Sequence, residues 1–171
     1  MSDATVYGRV MVSGNRPNAF DEEQARWGRQ ELHRTLRRLQ HFHGTSECLT
    51  GLALGADSWW AESASRLNIP YAAYIPFEGQ ANTWSPEERK RWARLRFEAA
   101  REEVFGDHYD VRLFHERNDA MLCESDLLVA LHCGALTKGG TASVVAKARK
   151  LGKPMILLDA EARSVNTENM G

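Results

Sequence analysis

The chain has 171 residues, enough for one domain with a sizeable core and too few for two. Hydrophobic residues make up 43% and charged residues 26%; the net charge of −1 provides no global field to draw in nucleic acid or an anionic membrane. No apolar run approaches the ~18 residues of a membrane span, and no basic flank precedes an apolar stretch at the N-terminus, so neither a span nor a signal peptide is expected. Cys48, Cys123 and Cys133 are scattered and form no CxxC, which fits a reduced, cytoplasmic protein without zinc.

Taken in order, segment 6–13 is a β-rich strand ending at Gly14, and 21–43 is a helix with Ala25, Gly28, Leu32, Leu36 and Leu39 on one face. A short strand at 48–50 runs into Gly51, and a helix follows at 56–67 with Asp57 in its first turn, where a carboxylate suits the helix dipole. Segment 71–75 is the third strand. Ser85-Pro86-Glu87-Glu88 carries a cap, a first-turn proline and a third-position glutamate, so a helix is expected from there to about Val104. A fourth strand is expected at 110–114, a short helix at 117–124 and a fifth strand at 126–131. A helix at 141–151 stops at Gly152, a last strand occupies 154–158, and the polar tail from Glu161 is expected to fray.

Strands separated by single helices predict a parallel sheet with helices on both faces, because parallel neighbours need crossover connections. The runs "LLVAL" and "MILL" lack alternation, as strands covered on both sides should. The expected architecture is α/β: a single Rossmann-like domain over 1–171, with its core at about 6–158 and a polar tail at 161–171.

Ligands of such sheets bind beyond the carboxyl ends of the strands. The loops that leave those ends carry Gly14, Asn15 and Arg16; Gly55 and Asp57; Glu78 and Gln80; Arg117 and Asn118; and Lys138, Gly139, Gly140 and Thr141. Gly14 and Gly55 have a plain alternative as tight-turn residues. Gly139-Gly140-Thr141 has the makings of an anion cradle: two glycines admit an anion to the backbone, a helix start offers free N–H groups, and Lys138 and the threonine hydroxyl add donors. Arg16 and Arg117 offer forked donors for phosphate, with a solvated ion pair as the alternative. Glu78, between Phe77 and Gly79, could grip a ribose hydroxyl or assist glycosidic cleavage, or could simply cap a turn. Trp59, Trp60, Trp84 and Trp92 are most simply core or interface aromatics, although Trp84 lies close enough to the Glu78 loop to stack on a base. Arg26, Arg29 and Arg37 form a basic stripe on the first helix, but Glu22, Glu23 and Glu31 interrupt it, which fits a solvated face.

The segments "VSGNRP", "GLALGADSWWAESA", "YIPFEGQANTWSPEERKRW", "ERNDAMLCESDLLVAL" and "KGGTASVVAKARKLGKP" together resemble the YpsA-like branch of the SLOG superfamily, from about Val6 to Leu158. That superfamily also holds the DNA-processing protein DprA and the LOG phosphoribohydrolases. The resemblance implies a Rossmann-like domain that binds a nucleotide-derived ligand, with NAD or ADP-ribose derivatives favoured, and a tendency to self-associate. It places Gly14, Arg16, Gly55, Asp57, Glu78, Gln80, Arg117, Asn118 and Gly139 to Thr141 around the pocket. LOG hydrolases carry a PGGxGTxxE pattern, and aligned on the Gly-Thr step this chain has Val144 at the glutamate position. Valine cannot move a proton, so the resemblance favours holding a nucleotide over cutting it, with no cofactor required. An N-glycosidase or deoxyribosyltransferase using Glu78 is the alternative, and nucleic-acid binding ranks third.

Overall fold

The computed structural model describes residues 3–171, so the first two residues of the expected domain lie outside the described residues. Seven strands form one sheet: β1 Arg9–Gly14, β2 Glu47–Thr50, β3 Tyr71–Ile75, β4 Arg101–Val104, β5 Leu127–His132, β6 Met155–Asp159 and β7 Ser164–Glu168. The helices are α1 Glu22–His43, α2 Ala56–Arg66, α3 Pro86–Glu98, α4 Val111–Glu124 and α5 Gly140–Lys150. The strand order is β4-β3-β2-β1-β5-β6-β7, and every pairing is parallel except that of β6 with β7. The chain winds outward from β1 through β4, then returns to place β5 on the other side of β1. That reversal is a topological switch point, and it makes the fold a Rossmann-like α/β domain.

The uninterrupted apolar strands follow from two cores, one on each face of the sheet. Val10, Val12, Leu127, Val129 and Leu131 face Leu32, Leu36 and Leu39 of α1, Trp60 of α2 and Leu95 of α3. Their neighbours Met11, Leu128 and Ala130 face Met121 and Leu122 of α4 and Val144, Val145 and Ala148 of α5. Asp21 caps α1 in a reciprocal box with Gln24, and Gly44 ends that helix in the left-handed region.

Three expected elements are corrected. The helix from Pro86 stops at Glu98, and its expected last turn is instead the edge strand β4. "FEAAREEV" is rich in helix formers, but Ala100 N–H donates to Tyr71 O and Phe105 N–H to Ile75 O, so pairing with β3 overrides local propensity. The expected strand at 110–114 is the first turn of α4, started by the Asp110 carboxylate, which accepts from Arg112 N–H at 2.9 Å. The polar tail does not fray: β7 pairs with β6, and Arg149 holds Glu168 through a forked contact at 2.9–3.2 Å. An edge strand needs few apolar side chains, so polarity was no guide there.

Among the described residues, no helix is long and apolar enough to cross a membrane.

Candidate functional site

The site is built outward from the carboxyl ends of β1 and β5. Past β1, Asn15 N–H donates to Leu131 O at 3.0 Å, and the Asn15 Oδ1 accepts from Cys133 N–H at 3.0 Å. These two bonds staple the loop after β1 to the loop after β5. Ser13 Oγ of β1 donates to Thr141 Oγ1 at 3.4 Å, which joins the start of α5 to the same point. Thr141 is therefore buried, with its hydroxyl engaged by Ser13.

Gly139 caps α5 with φ +97°, and a Cβ on Gly139 or Gly140 would meet nothing within 4 Å. Lys138 beside them is exposed, and α5 has no acidic residue in its first turn. The first N–H groups of an α-helix lack intrahelical partners, so this end presents unpaired donors with room above them.

On the other side of the β1 loop lies a cleft of about 550 Å³, with Arg16 at its edge and Phe77, Gln80, Trp84, Tyr109 and Phe114 among its lining residues. Phe77, Tyr109 and Phe114 pack edge-to-face, with ring centroids 5.6–6.1 Å apart. Arg16 is exposed and Tyr109 remains 69% exposed, so both a guanidinium and a ring face are available at the cleft. Tyr109 and Phe114 were hidden from sequence reasoning because 110–114 was expected to be a strand; the capping role of Asp110 is the signal that would have exposed them.

Several expected ligand-binding residues instead make the floor of the site. Gly14 lies where a Cβ would come within 2.2 Å of the Ala56 Cβ, so its role is to let α2 approach β1. Gly55 caps α2 at φ +88° and packs on Pro17 and Asn15 O. Asp57 is buried in the first turn of α2, and its carboxylate reaches back to accept from Ala53 N–H of the preceding loop at 3.1 Å. Burial pushes the Asp57 pKa up, and the nearby Arg117 guanidinium opposes that rise. Arg117, on α4, is buried in turn; it donates to Gly51 O at 2.9 Å, to Tyr74 O at 3.3 Å and to the Asn118 Oδ1 at 2.8 Å.

Gln80 donates to the same Gly51 carbonyl at 3.0 Å and accepts from the Trp92 indole at 3.0 Å, so both ends of its amide are committed although it also lines the cleft. Gly51 sits between the two buried charges: a Cβ there would be 2.1 Å from Arg117 Nη1 and 2.9 Å from the Asp57 carboxylate. Sequence reasoning passed over Gly51 as a strand end. Trp59 and Trp60 are core residues, as expected of them.

Glu78 does not line the cleft. Its side chain is 54% exposed and is held by Arg96 at 2.9 and 3.3 Å, an arginine shared with Glu102. Val144, at the position where LOG hydrolases carry glutamate, is buried in the core against the sheet.

The parallel sheet, its switch-point crevice and the helices on both faces define a Rossmann-like α/β domain. More narrowly, the chain belongs to the YpsA (YspA) SLOG family, whose model matches residues 10–158. No curated protein matches the sequence. Among solved structures, the chain is similar to DNA processing protein A from Helicobacter pylori, described for its single-stranded DNA binding mode, at 19% identity and TM-score 0.64; the match covers 94% of this chain and 71% of that one. It is also similar to DNA processing protein A from Streptococcus pneumoniae, at 18% identity and TM-score 0.61, where it covers 88% of this chain but spans only 50% of the other. The molybdenum cofactor binding protein from Rippkaea orientalis gives 21% identity and TM-score 0.58, over 90% of this chain and 77% of that one. At these identities the likeness is one of fold.

Proposed function

We propose that this protein binds a phosphorylated, nucleotide-derived small molecule at the switch point and releases it unchanged. The phosphate lies on the free N–H groups of Gly140 and Thr141, with Lys138 and Arg16 as flanking cations, and the base occupies the cleft beside Trp84 and Tyr109. The observation that carries this reading is the start of α5, whose glycines have open space above them and no internal carboxylate to fill it. Two further placements support holding over cutting: Glu78 is turned away into the Arg96 pair, and Val144 is core. ADP-ribose and NAD are the first ligands to try. The Rippkaea protein of the same fold binds the molybdenum cofactor, which adds a cofactor cargo to the set.

The test is mass spectrometry of small molecules that copurify with the protein, followed by calorimetry against ADP-ribose, NAD, cyclic nucleotides and nucleoside monophosphates. Intact ligand recovered after denaturing the complex is the expected result. Failure to bind any of these compounds overturns the reading. Release of free base, abolished in Glu78→Gln, would replace it with N-glycosidic hydrolysis.

A further inference from the structure

The aromatic cleft belongs to the β1–β4 wing of the sheet. A second cavity, of about 490 Å³, lies at the other wing, at the carboxyl ends of β5 and β6. Side-chain alternation builds it. Ala130 of β5 and Leu157 of β6 face the core under α4 and α5, so His132 and Asp159, two residues on and side by side in the register, emerge on the same face. Asn166 of β7 pairs with Leu157 and shares that face.

His132 is only 8% exposed. Its Nδ1 lies 2.7 Å from Gly134 O, and a carbonyl can only accept, so Nδ1 carries a proton and the neutral ring presents Nε2 as an acceptor. Among the described residues Nε2 has no partner, yet protein does not enclose it, so it faces the cavity that His132 lines. The neighbouring polar groups are acceptors as well. Asp159 Oδ1 accepts from the N–H groups of Gly134, Glu161 and Ala162 at 3.0–3.4 Å, which leaves Oδ2 free. The Glu161 carboxylate lies over Gly134, 2.6 Å from where a Cβ would stand, and has no ion pair among the described residues. Asn166 donates to Ser164 Oγ at 3.4 Å, which leaves its Oδ1 free. Arg149 at the rim is held by Glu168 at 2.9 Å. Burial first, then Glu161, Asp159 and Asp21, push the Cys133 thiol pKa up, as expected beside unneutralised carboxylates.

We propose that this cavity binds a small aliphatic diamine or polyamine. One ammonium group donates to His132 Nε2 and Asp159 Oδ2, a second pairs with Glu161, and the methylenes lie along Leu136 and Leu157. An ammonium group has three donors and no acceptor, which suits a wall whose free side-chain groups accept. A metal ion fits less well: among the described residues, no three His, Cys, Asp or Glu side chains converge on one point, whereas an extended cation can reach acceptors that are spread. An anion would face two carboxylates.

The experiment is calorimetry of putrescine and spermidine against the full chain, beside butylamine, Mg²⁺ and Zn²⁺, with long-range proton–nitrogen NMR of the histidine rings. Both polyamines should bind more tightly than butylamine, which has a single ammonium group, and putrescine should move the His132 Nε2 signal. His132→Phe should weaken putrescine binding roughly 10- to 100-fold. Glu161→Gln alters an exposed side chain; it should keep its melting temperature and weaken binding about 2- to 10-fold. If His132→Phe fails to fold, the ring signal and Glu161→Gln still decide. The proposal is overturned by no heat with either polyamine, by a His132 ring signal that stays in place, by binding that Glu161→Gln leaves unchanged, or by tighter binding of butylamine, Mg²⁺ or Zn²⁺. The cavity shares no side chain with the cleft or the start of α5, so binding of ADP-ribose in the calorimeter stands or falls separately.

Discussion

Two helices of this protein begin in the same way and end up in opposite surroundings. Both α2 and α5 follow a parallel strand, and both open on a glycine at positive φ, +88° at Gly55 and +97° at Gly139. At α2, Pro17 and Asn15 pack over the glycine, and Asp57 in the first turn supplies the negative charge that the helix start favours. At α5, nothing lies within 4 Å of where a side chain would begin, and no acid stands in the first turn. One helix start is packed over and carries an acid in its first turn, and the other has neither. The same glycine-before-helix pattern therefore marks a packed corner in one place and an open, acid-free one in the other.

The contrast can be broken hardest at the filled end. Arg117→Met would leave Asp57 buried without its nearby cation and free Gly51 O and Tyr74 O of a donor. It should destabilise the fold by about 3–5 kcal/mol in urea unfolding. The double variant with Asp57→Asn should lose less than the sum of the two single changes, since the residues act together. An additive result would show that the two charges do not depend on each other. Gly14→Ala drives a methyl into Ala56 and should cost about 1–3 kcal/mol by the same measurement.

The open end should answer the other way. Gly140→Asp gives α5 the internal carboxylate that α2 has. Folding stability should change by less than about 1 kcal/mol, while the affinity of the copurifying or calorimetrically identified anion falls about 10- to 100-fold. Unchanged affinity would remove α5 from the site. Glu78→Gln should shift stability by under about 1 kcal/mol, because the pair with Arg96 is solvent-exposed, and should leave ligand binding intact.

The smallest effect concerns pH. Bonds from the Arg112 side chain and backbone hold the Asp110 carboxyl down to about 2, below its ordinary range. A depressed acid stabilises the folded state above its unfolded pKa and loses that contribution as pH falls toward the folded value. An NMR titration should therefore show Asp110 protonating near 2. The start of α4, and with it the Tyr109–Phe114 wall, should loosen only across that acid range; a titration in the ordinary carboxylate range would mean that the cap is not formed.

Much of the fold was legible because burial on both faces leaves a plain trace: "LLVAL" and "MILL" could only be covered strands. Caps were legible too, as at Asp21 and Ser85. What was lost depended on partners distant in sequence. Nothing local distinguishes "AAREEV" as a strand, since only the free edge of β3 makes it one, and the polar β7 is likewise defined by β6.

The site divides along the same line. Residue types alone pointed to Gly139–Thr141, whose glycines the fold leaves open, and to Arg16 and Trp84, which line the cleft. They could not separate these from Gly14, Asp57, Gln80 and Arg117, which have the same chemistry but spend it inward. The loop order and Val144 in place of a carboxylate were determined by the sequence itself, because they follow from identity and spacing. Which polar groups were left free was decided only by the tertiary structure, because a donor or a charge is available to a ligand only where packing has not already given it a partner.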